Sequence, residues 1–477
     1  VIIAVQEERF TNLKNFYGYP AKSIEYCIKY IKENNLIIDV AAFATINDYL
    51  FFSKYRFNNY FKISDFHKFY SVSLNKNKAI SVVKGHKESK KHKGFYLPYD
   101  KIKKKDYFNP KIRKKLFLAQ LNKQGKKYIK KITFLDHHTC HAYYSYFSAK
   151  KRKDNSCIVS VDSFGDGANQ TIWIAKKNKL KLVAKSDQFE VARIYKFITL
   201  ILNMKPEEHE FKVMGLSAYS KKKFILNVYE KVFKNIQKFN GLKIIHDKRP
   251  KDLYNYLKET TNSYRFDNIA GGLQYFVEKL MQELLSRIYK KYKKKNFYFS
   301  GGVSMNVKMY NDLGKLKFVD YLYSPASGSD ESISIGACYY LSKNIRTYPI
   351  QNIYLGKNLT NKNVEINLET LKEKFSNKKY LIFKNFNHKK LASLLANNQV
   401  VAVAREREEF GARALGNRSI IANPSNYNVV QKINESIKNR DFWMPFALTI
   451  LKDKHKDYIE NKKNFECDYM TMSFDTK

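Results

Sequence analysis

Ser156-Cys-Ile-Val-Ser-Val-Asp162, Ser163-Phe-Gly-Asp-Gly-Ala-Asn169 and Gln170-Thr-Ile-Trp-Ile-Ala175 follow one another without interruption, and their reading decides the fold. The first is an apolar run of strand length, the second a glycine-rich turn, and the third a returning strand. Asn296-Phe-Tyr-Phe-Ser300 reads as another buried strand, followed by Gly301-Gly302 and a helix-like run to about Leu313. Upstream of it, Phe276, Leu280, Leu284, Leu285 and Ile288 recur at helical spacing and predict a helix over Tyr275 to Tyr292. Ser332 to Leu341 reads as a tightly packing helix of small residues. Strands alternating with helices predict an α/β protein. The stretch Asn344 to Lys362, with Pro349 and Gly356, is the expected boundary between domains spanning 1–345 and 350–477. Beyond it, Tyr380 to Phe383, Val400 to Ala404 and Ile420 to Ala422 read as strands of the second domain. Val1 to Val5 and Tyr469 to Phe474 read as strands with almost no chain outside them. A sheet needs neighbours for both, which predicts a chain clipped at each end.

The 477 residues accommodate two or three domains with real cores, and 36 tyrosines and 34 phenylalanines exclude a disordered basic chain. No apolar run approaches the length of a membrane-spanning helix, and no secretory signal is visible. The five cysteines are scattered and odd in number, which argues against a disulfide framework and for the reducing cytoplasm. Lys plus Arg outnumber Asp plus Glu by 88 to 44, giving a formal charge of +44. Most of that excess is dispersed lysine, densest at 84–93, 101–105 and 123–131. Base reading favours arginine in a defined constellation, and none is present. The charge therefore reads as solvated surface and as a lure for small anionic substrates, with no membrane partner and no dedicated nucleic-acid site.

The sharpest local signal is Asp136-His137-His138-Thr139-Cys140-His141-Ala142, with three of the ten histidines inside five residues. His137 and His141 are four apart, so on a helix they share a face and reach one metal ion. A zincin would need Glu where His138 stands. Two imidazoles suit Fe, Zn or Mn, with a carboxylate supplied from elsewhere; a helix start with ordinary surface histidines is the alternative. Asp162 opens the turn Asp162-Ser-Phe-Gly165-Asp166-Gly167, whose backbone N–H groups can cradle a phosphate, although most such turns are simply hairpins. Asp330 enters a helix, where a carboxylate is ordinarily a cap. Ser300-Gly301-Gly302-Val-Ser-Met-Asn306 lets a nucleotide approach the backbone at a helix start. Neither a P-loop nor a G-x-G-x-x-G occurs. Arg405-Glu-Arg407-Glu-Glu409-Phe-Gly411-Ala-Arg413-Ala-Leu-Gly416-Asn-Arg418-Ser419 places four guanidinium forks beside two glycines, suited to phosphate or carbamate.

Seven segments in order carry a resemblance. They are Glu7 to Thr11, Asp136 to Ala142, Lys212-Val-Met-Gly-Leu-Ser-Ala-Tyr219, Ser300 to Asn306, Asp330 to Ala337, Glu409 to Ser419 and Trp443-Met-Pro-Phe-Ala447. Together they resemble the NodU/CmcH-type O-carbamoyltransferase family across nearly the whole chain. The resemblance implies an actin-like ATPase (ASKHA) fold in the N-terminal domain and a YrdC-like α/β C-terminal domain. It implies that the second domain makes carbamoyl-adenylate from carbamoyl phosphate and ATP, with Mg2+. The first would pass the carbamoyl group to a hydroxyl of a sugar or natural product, assisted by iron (Fe2+) or another divalent metal.

By matching position, His137, His141 and Asp330 would be the metal ligands, with His138 and Asp162 catalytic beside them. Gly165, Asp166, Gly167, Lys212, Gly301, Gly302 and Asn306 would hold the nucleotide. Arg407, Arg413, Arg418, Ser419, Lys438 and Arg440 would hold carbamoyl phosphate and ATP. A homodimer is compatible with this reading. The chain departs from the family pattern at Met444, where an arginine is usual, at Ser332 for glycine and at Asn12 for arginine. A histidine-bearing opening segment and a closing segment of the family pattern are also missing. Two alternatives stay open at this point: a tRNA threonylcarbamoyladenosine-type modifying enzyme, and a catalytically inactive binding homologue.

Overall fold

The computed structural model describes residues 3–16, 19–46, 61–73, 75, 78, 110–245, 252–344, 347–374, 376 and 387–477. The strand expected at Tyr380 to Phe383 and the lysine runs at 84–93 and 101–105 lie outside them. The residues group into two compact units: Gln6–Ile350 with Lys456–Lys477, and Val1–Val5 with Gln351–His455.

The larger unit is built on a mixed five-stranded sheet. Among the described residues its unit carries β1 (Ile38–Phe43), β2 (Ile129–Phe134), β3 (Ser156–Gly165), β4 (Ala168–Lys176), β5 (Lys179–Ser186), β6 (Lys238–Asn240), β7 (Lys243–Ile245), β8 (Asn296–Ser300) and β9 (Tyr321–Tyr323). The sheet order is β5-β4-β3-β8-β9; β1 pairs with β2, and β6 with β7, in separate ribbons. β3 runs parallel to β8 and β8 to β9, whereas β4 and β5 are antiparallel additions. The expected glycine-rich turn is tighter than seven residues. Both strands extend until Gly165 pairs with Ala168. Asp166 and Gly167 alone turn the chain, with φ of 47° and 79°, the type I′ geometry that Asp-Gly favours between twisted strands.

Central strands bury both faces, so β3 and β8 are apolar runs rather than alternating ones. The predicted helix over Tyr275 to Tyr292 is longer, Phe266–Tyr292, because buried Ile269 and Leu273 continue its stripe toward the N-terminus. It ends where Lys293 takes a left-handed φ of 52°. Leu284, Leu285 and Ile288 on its face are fully buried, each worth about 1.5–3 kcal/mol of transfer free energy. The helix expected after Gly302 is broken in two: a 3-10 turn Gly302–Met305, then Val307–Lys315 capped by Asn306.

Two expected strands are absent. Residues 3–5 carry no ladder; Ala4 N donates a single bond to Leu355 O at 3.0 Å. Tyr469 to Phe474 forms no strand either. Thr471 Oγ1 bonds Ser324 O at 3.0 Å and Ser473 N bonds Val307 O at 3.2 Å, so the segment is held by the loop after β9 and by a helix start rather than by a strand. Residues 456–477 thereby belong with the larger unit, in contrast to the expected continuous 350–477 domain. In the smaller unit β10 (Val401–Ala404) and β11 (Arg418–Ile421) form an antiparallel pair. β11 starts two residues before the expected Ile420 and excludes Ala422.

No helix among the described residues is long and apolar enough to cross a membrane. All five cysteines are free.

Candidate functional site

Three strand ends and one helix start meet in the larger unit. Asp136 caps the helix His137–Phe147, its Oδ1 accepting from Thr139 N at 2.8 Å. Asp166 Oδ2 accepts from His137 N at 2.7 Å, so the hairpin tip holds the same helix end. The i, i+4 spacing then places His137 and His141 on one face, with Nε2 atoms 3.1 Å apart. Asp162, near the end of β3, puts Oδ2 3.1 Å from His141 Nε2 and 3.3 Å from His137 Nε2. Asp330 precedes the helix Ile333–Leu341, whose Gly336 lies directly on the backbone of Cys140. A Cβ there would stand 1.9 Å from Cys140 O. That close crossing brings Asp330 Oδ1 to 3.4 Å from His141 Nε2 and 3.6 Å from His137 Nε2.

The four donor atoms all lie within 4.8 Å of one another. His137, His141 and Asp162 are buried, while the Asp330 side chain is 56% exposed. Burial pushes both imidazoles toward the neutral form. The carboxylates outweigh it, and both histidines titrate above their ordinary range, His141 at about 9. Asp162 is raised by burial, yet hydrogen bonds from His137 and His141 hold it well below the usual carboxylate range. Two protonated imidazoles facing each other at 3.1 Å repel. A divalent cation among two nitrogens and two carboxylate oxygens satisfies all four donors at once, so the residues present fit a metal of borderline softness such as Fe2+.

The other positions matched in the sequence fall into distinct places. Asp162, expected beside the ligands as a catalytic group, sits among the donors. His138 points away from them: Nε2 meets Ala168 O at 3.0 Å and Nδ1 meets Ser160 Oγ at 3.2 Å. The carbonyl can only accept, so the proton sits on Nε2 and Nδ1 accepts from the serine. Burial and the neighbouring imidazoles lower its pKa to about 4. Gly165 packs against the His137 ring. The carboxylate of Asp166 also receives Ile46 N at 2.9 Å and Thr45 Oγ1 at 3.2 Å, which makes it a brace rather than a free phosphate-facing group. Gly167 is the open tip of the hairpin.

Gly301 has φ +84° and N–H bonded to Gly328 O at 2.7 Å; a Cβ on it would meet Val161 O at 2.2 Å. A Cβ on Gly302 would lie 3.2 Å from Asp162 Oδ1, so this turn borders the donor cluster. Asn306 Oδ1 caps Met309 N at 3.2 Å, and its amide pairs with Gln274 at 2.9 Å. Lys212 lies in the helix Glu210–Leu216.

In the smaller unit the arginine-rich stretch is organised by Glu409, whose role the sequence did not announce. Its Oε1 accepts from Leu415 N, Asn417 N and Arg418 N at 2.8, 2.7 and 3.1 Å. Burial raises the carboxyl, but these backbone donors outweigh it and hold it below the usual range. Arg407 donates to Gly356 O at 3.2 Å, and Arg418 to Arg405 O at 2.6 Å and Asn417 O at 2.8 Å. Ser419 Oγ accepts from Gly416 N at 2.8 Å. Arg440 donates to Asn434 Oδ1 at 2.6 Å and lies 4.4 Å over Phe446. Lys438 is exposed. Arg413 differs from these: its Nε is buried without a hydrogen-bond partner among the described residues. Met444 is buried and its carbonyl accepts from Asn434 Nδ2 at 3.2 Å.

An uncharacterised protein of Methanocaldococcus jannaschii is 29% identical over 483 residues, spanning 100% of this chain and 79% of that protein. Nodulation protein NolNO of Sinorhizobium fredii is 22% identical over 480 residues, covering 96% of this chain and 62% of that one. Among solved structures, full-length HypF in its phosphate- and nucleotide-bound form aligns at TM-score 0.34 and 14% identity, over 57% of this chain and 43% of that one. The family model for the carbamoyltransferase N-terminus matches residues 1–339, and that for the carbamoyltransferase C-terminus matches 392–477. With both models in order, and the first covering most of its length, the chain belongs to the carbamoyltransferase family.

Proposed function

We propose that this transferase forms carbamoyl-adenylate from carbamoyl phosphate and ATP and passes the carbamoyl group to a hydroxyl of a sugar or related natural product. The convergence of His137, His141, Asp162 and Asp330 beside the Gly301-Gly302 turn carries this reading. The smaller unit, read as YrdC-like, performs the first half. Water takes the phosphoryl group of carbamoyl phosphate, releasing inorganic phosphate and carbamate. A carbamate oxygen then attacks the α-phosphate of ATP, and pyrophosphate leaves. Arg413, with its unpartnered buried Nε, is the guanidinium available to an anionic oxygen there. Glu409 holds the 415–418 backbone that carries its neighbours.

The larger unit, read as the actin-like domain, performs the second half. The acceptor oxygen attacks the carbamoyl carbon, AMP departs with the electron pair of the broken C–O bond, and the hydroxyl proton is released. His137, His141, Asp162 and Asp330 would hold a divalent cation, iron by preference, which supplies Lewis-acid polarisation and charge compensation. Gly301 lets the turn close against the Val161 backbone, and Gly302 keeps it beside Asp162 Oδ1 at the donor cluster. His138 positions the helix start through Ser160 and Ala168, since both its ring nitrogens are engaged there and it faces away from the donor cluster. The test is pyrophosphate release from carbamoyl phosphate and ATP by the metal-loaded protein. No release with any divalent metal overturns the reading.

A further inference from the structure

The five-stranded sheet is electrically polarised along its strands. At the end holding the donor cluster, the segments 162–168, 300–306 and 324–332 contain four acidic residues and no Lys or Arg. At the opposite end, four segments converge: 150–155 before β3, 176–179 between β4 and β5, 290–296 before β8, and 316–320 before β9. They carry thirteen Lys or Arg against two acids. These segments interlock. Lys177 N donates to Asp154 Oδ1 at 2.6 Å, Lys294 Nζ meets Asn155 Oδ1, and Asp320 N donates to Lys295 O at 2.9 Å. Lys153 Nζ lies 5.9 Å over the Tyr321 ring. The concentration is therefore a property of the fold, since no two of the four segments are adjacent in sequence.

Carboxylates answer only part of it. Lys150 pairs with Asp468 at 3.2 Å, Lys151 with Glu466 at 3.9 Å and Lys295 with Asp320 at 3.8 Å. Lys176, Lys179, Lys291 and Lys294 form no ion pair among the described residues. Lying at the far end of the strands from the donor cluster, these cations serve no substrate phosphate there. They are mostly flexible ammonium groups, which suit a row of phosphates without reading bases. Firm seating on a membrane is favoured by apolar side chains inserting beside the charge, and none of the large exposed apolar residues falls in the four segments.

We propose that this basic pole binds the phosphate backbone of a nucleic acid, without sequence preference. This surface is independent of the carbamoyl chemistry. The test titrates the full chain with a labelled single-stranded oligonucleotide across salt concentrations. Four phosphate contacts to a single strand predict about fifty-fold weaker binding between 50 and 200 mM salt. The variant Lys176→Glu/Lys179→Glu/Lys291→Glu/Lys294→Glu should bind at least tenfold more weakly and flatten the logarithmic salt slope by about 3. Its thermal melt and pyrophosphate release should match the parent. The equal-charge control Lys221→Glu/Lys222→Glu/Lys223→Glu/Lys279→Glu should stay within about twofold of it. Equal losses in both variants would mean diffuse attraction and overturn the proposal. So would competition by poly-glutamate at matched charge, or tighter binding to phosphatidylserine vesicles than to the oligonucleotide.

Discussion

A methyl group on Gly165 would stand 2.3 Å from Cδ2 of His137, so the imidazole occupies the place a side chain would take. The hairpin thereby sets the ring's position from one side while Asp162 sets it from the other. Gly165→Ala should displace His137 and weaken divalent-metal affinity about 10–100-fold, as loss of a ligand's supporting contact typically does. Calorimetric titration of the apo-protein with Fe2+ or Zn2+ checks this; parent-like affinity would place His137 outside the metal site.

Stripping the metal should destabilise the larger unit. Without a cation, two buried imidazoles and two carboxylates must neutralise one another at 3.1–3.6 Å. A ligand at a hundred times its Kd stabilises by about 2.7 kcal/mol. Chelation should therefore lower the melting temperature by several degrees, and Fe2+ should restore it. The same treatment of His137→Ala should produce no shift.

Asp166→Ala should cost about 2 kcal/mol, because it removes one carboxylate from the N–H groups of His137 and Ile46 and leaves both without their acceptor. Denaturant unfolding measures the cost. A loss under about 0.5 kcal/mol would show that water replaces the carboxylate freely.

Glu409 links the smaller unit to pH. Its folded pKa is depressed, so the stabilisation is present above the ordinary glutamate value of about 4.3 and is lost as pH falls through the lower folded value. Hydrogen exchange of the Leu415, Asn417 and Arg418 amides should accelerate, relative to the intrinsic rate, as pH drops below about 4. In Glu409→Gln these amides should be less protected at neutral pH, and the acid-induced step should vanish. Retention of the step in the variant assigns it to another carboxylate.

Asn306→Ala should cost about 1 kcal/mol from the lost cap on Val307–Lys315, and it strands the Gln274 amide as well. On the reading that the Gly301-Gly302 turn faces the carbamoyl-adenylate, the change should slow carbamoyl transfer to the acceptor and leave pyrophosphate release from carbamoyl phosphate and ATP parent-like. An equal fall in pyrophosphate release would place the effect outside the transfer site.

Much of the larger unit was legible before any coordinates. Apolar runs at Ser156 to Val161 and Asn296 to Ser300 can only be buried strands, and the stripe from Phe276 to Ile288 has one period. His137 and His141 were legible for the same reason, since spacing of four on a helix is local geometry. Asp330 was reached through the ordered motifs, and its approach to the histidines depends on helices crossing at Gly336. Glu409 is illegible in sequence because its partners are backbone N–H groups, which carry no sequence signature. The terminal segments differ from expectation because extended, apolar stretches look alike in sequence whether or not they join a ladder.

The sequence by itself determined the helix face bearing two imidazoles, the Asp-Gly hairpin and the order of motifs that marks the family. All of these depend on residues near one another in the chain or on identity at matched positions. The tertiary structure alone decided that Asp162 joins the donors, that His138 turns to the sheet, that Asp166, Asn306 and Arg418 brace backbone, and that scattered lysines gather at one end of the strands. Those outcomes depend on which strand ends meet in space, and hydrogen-bond direction and charge density are fixed only there.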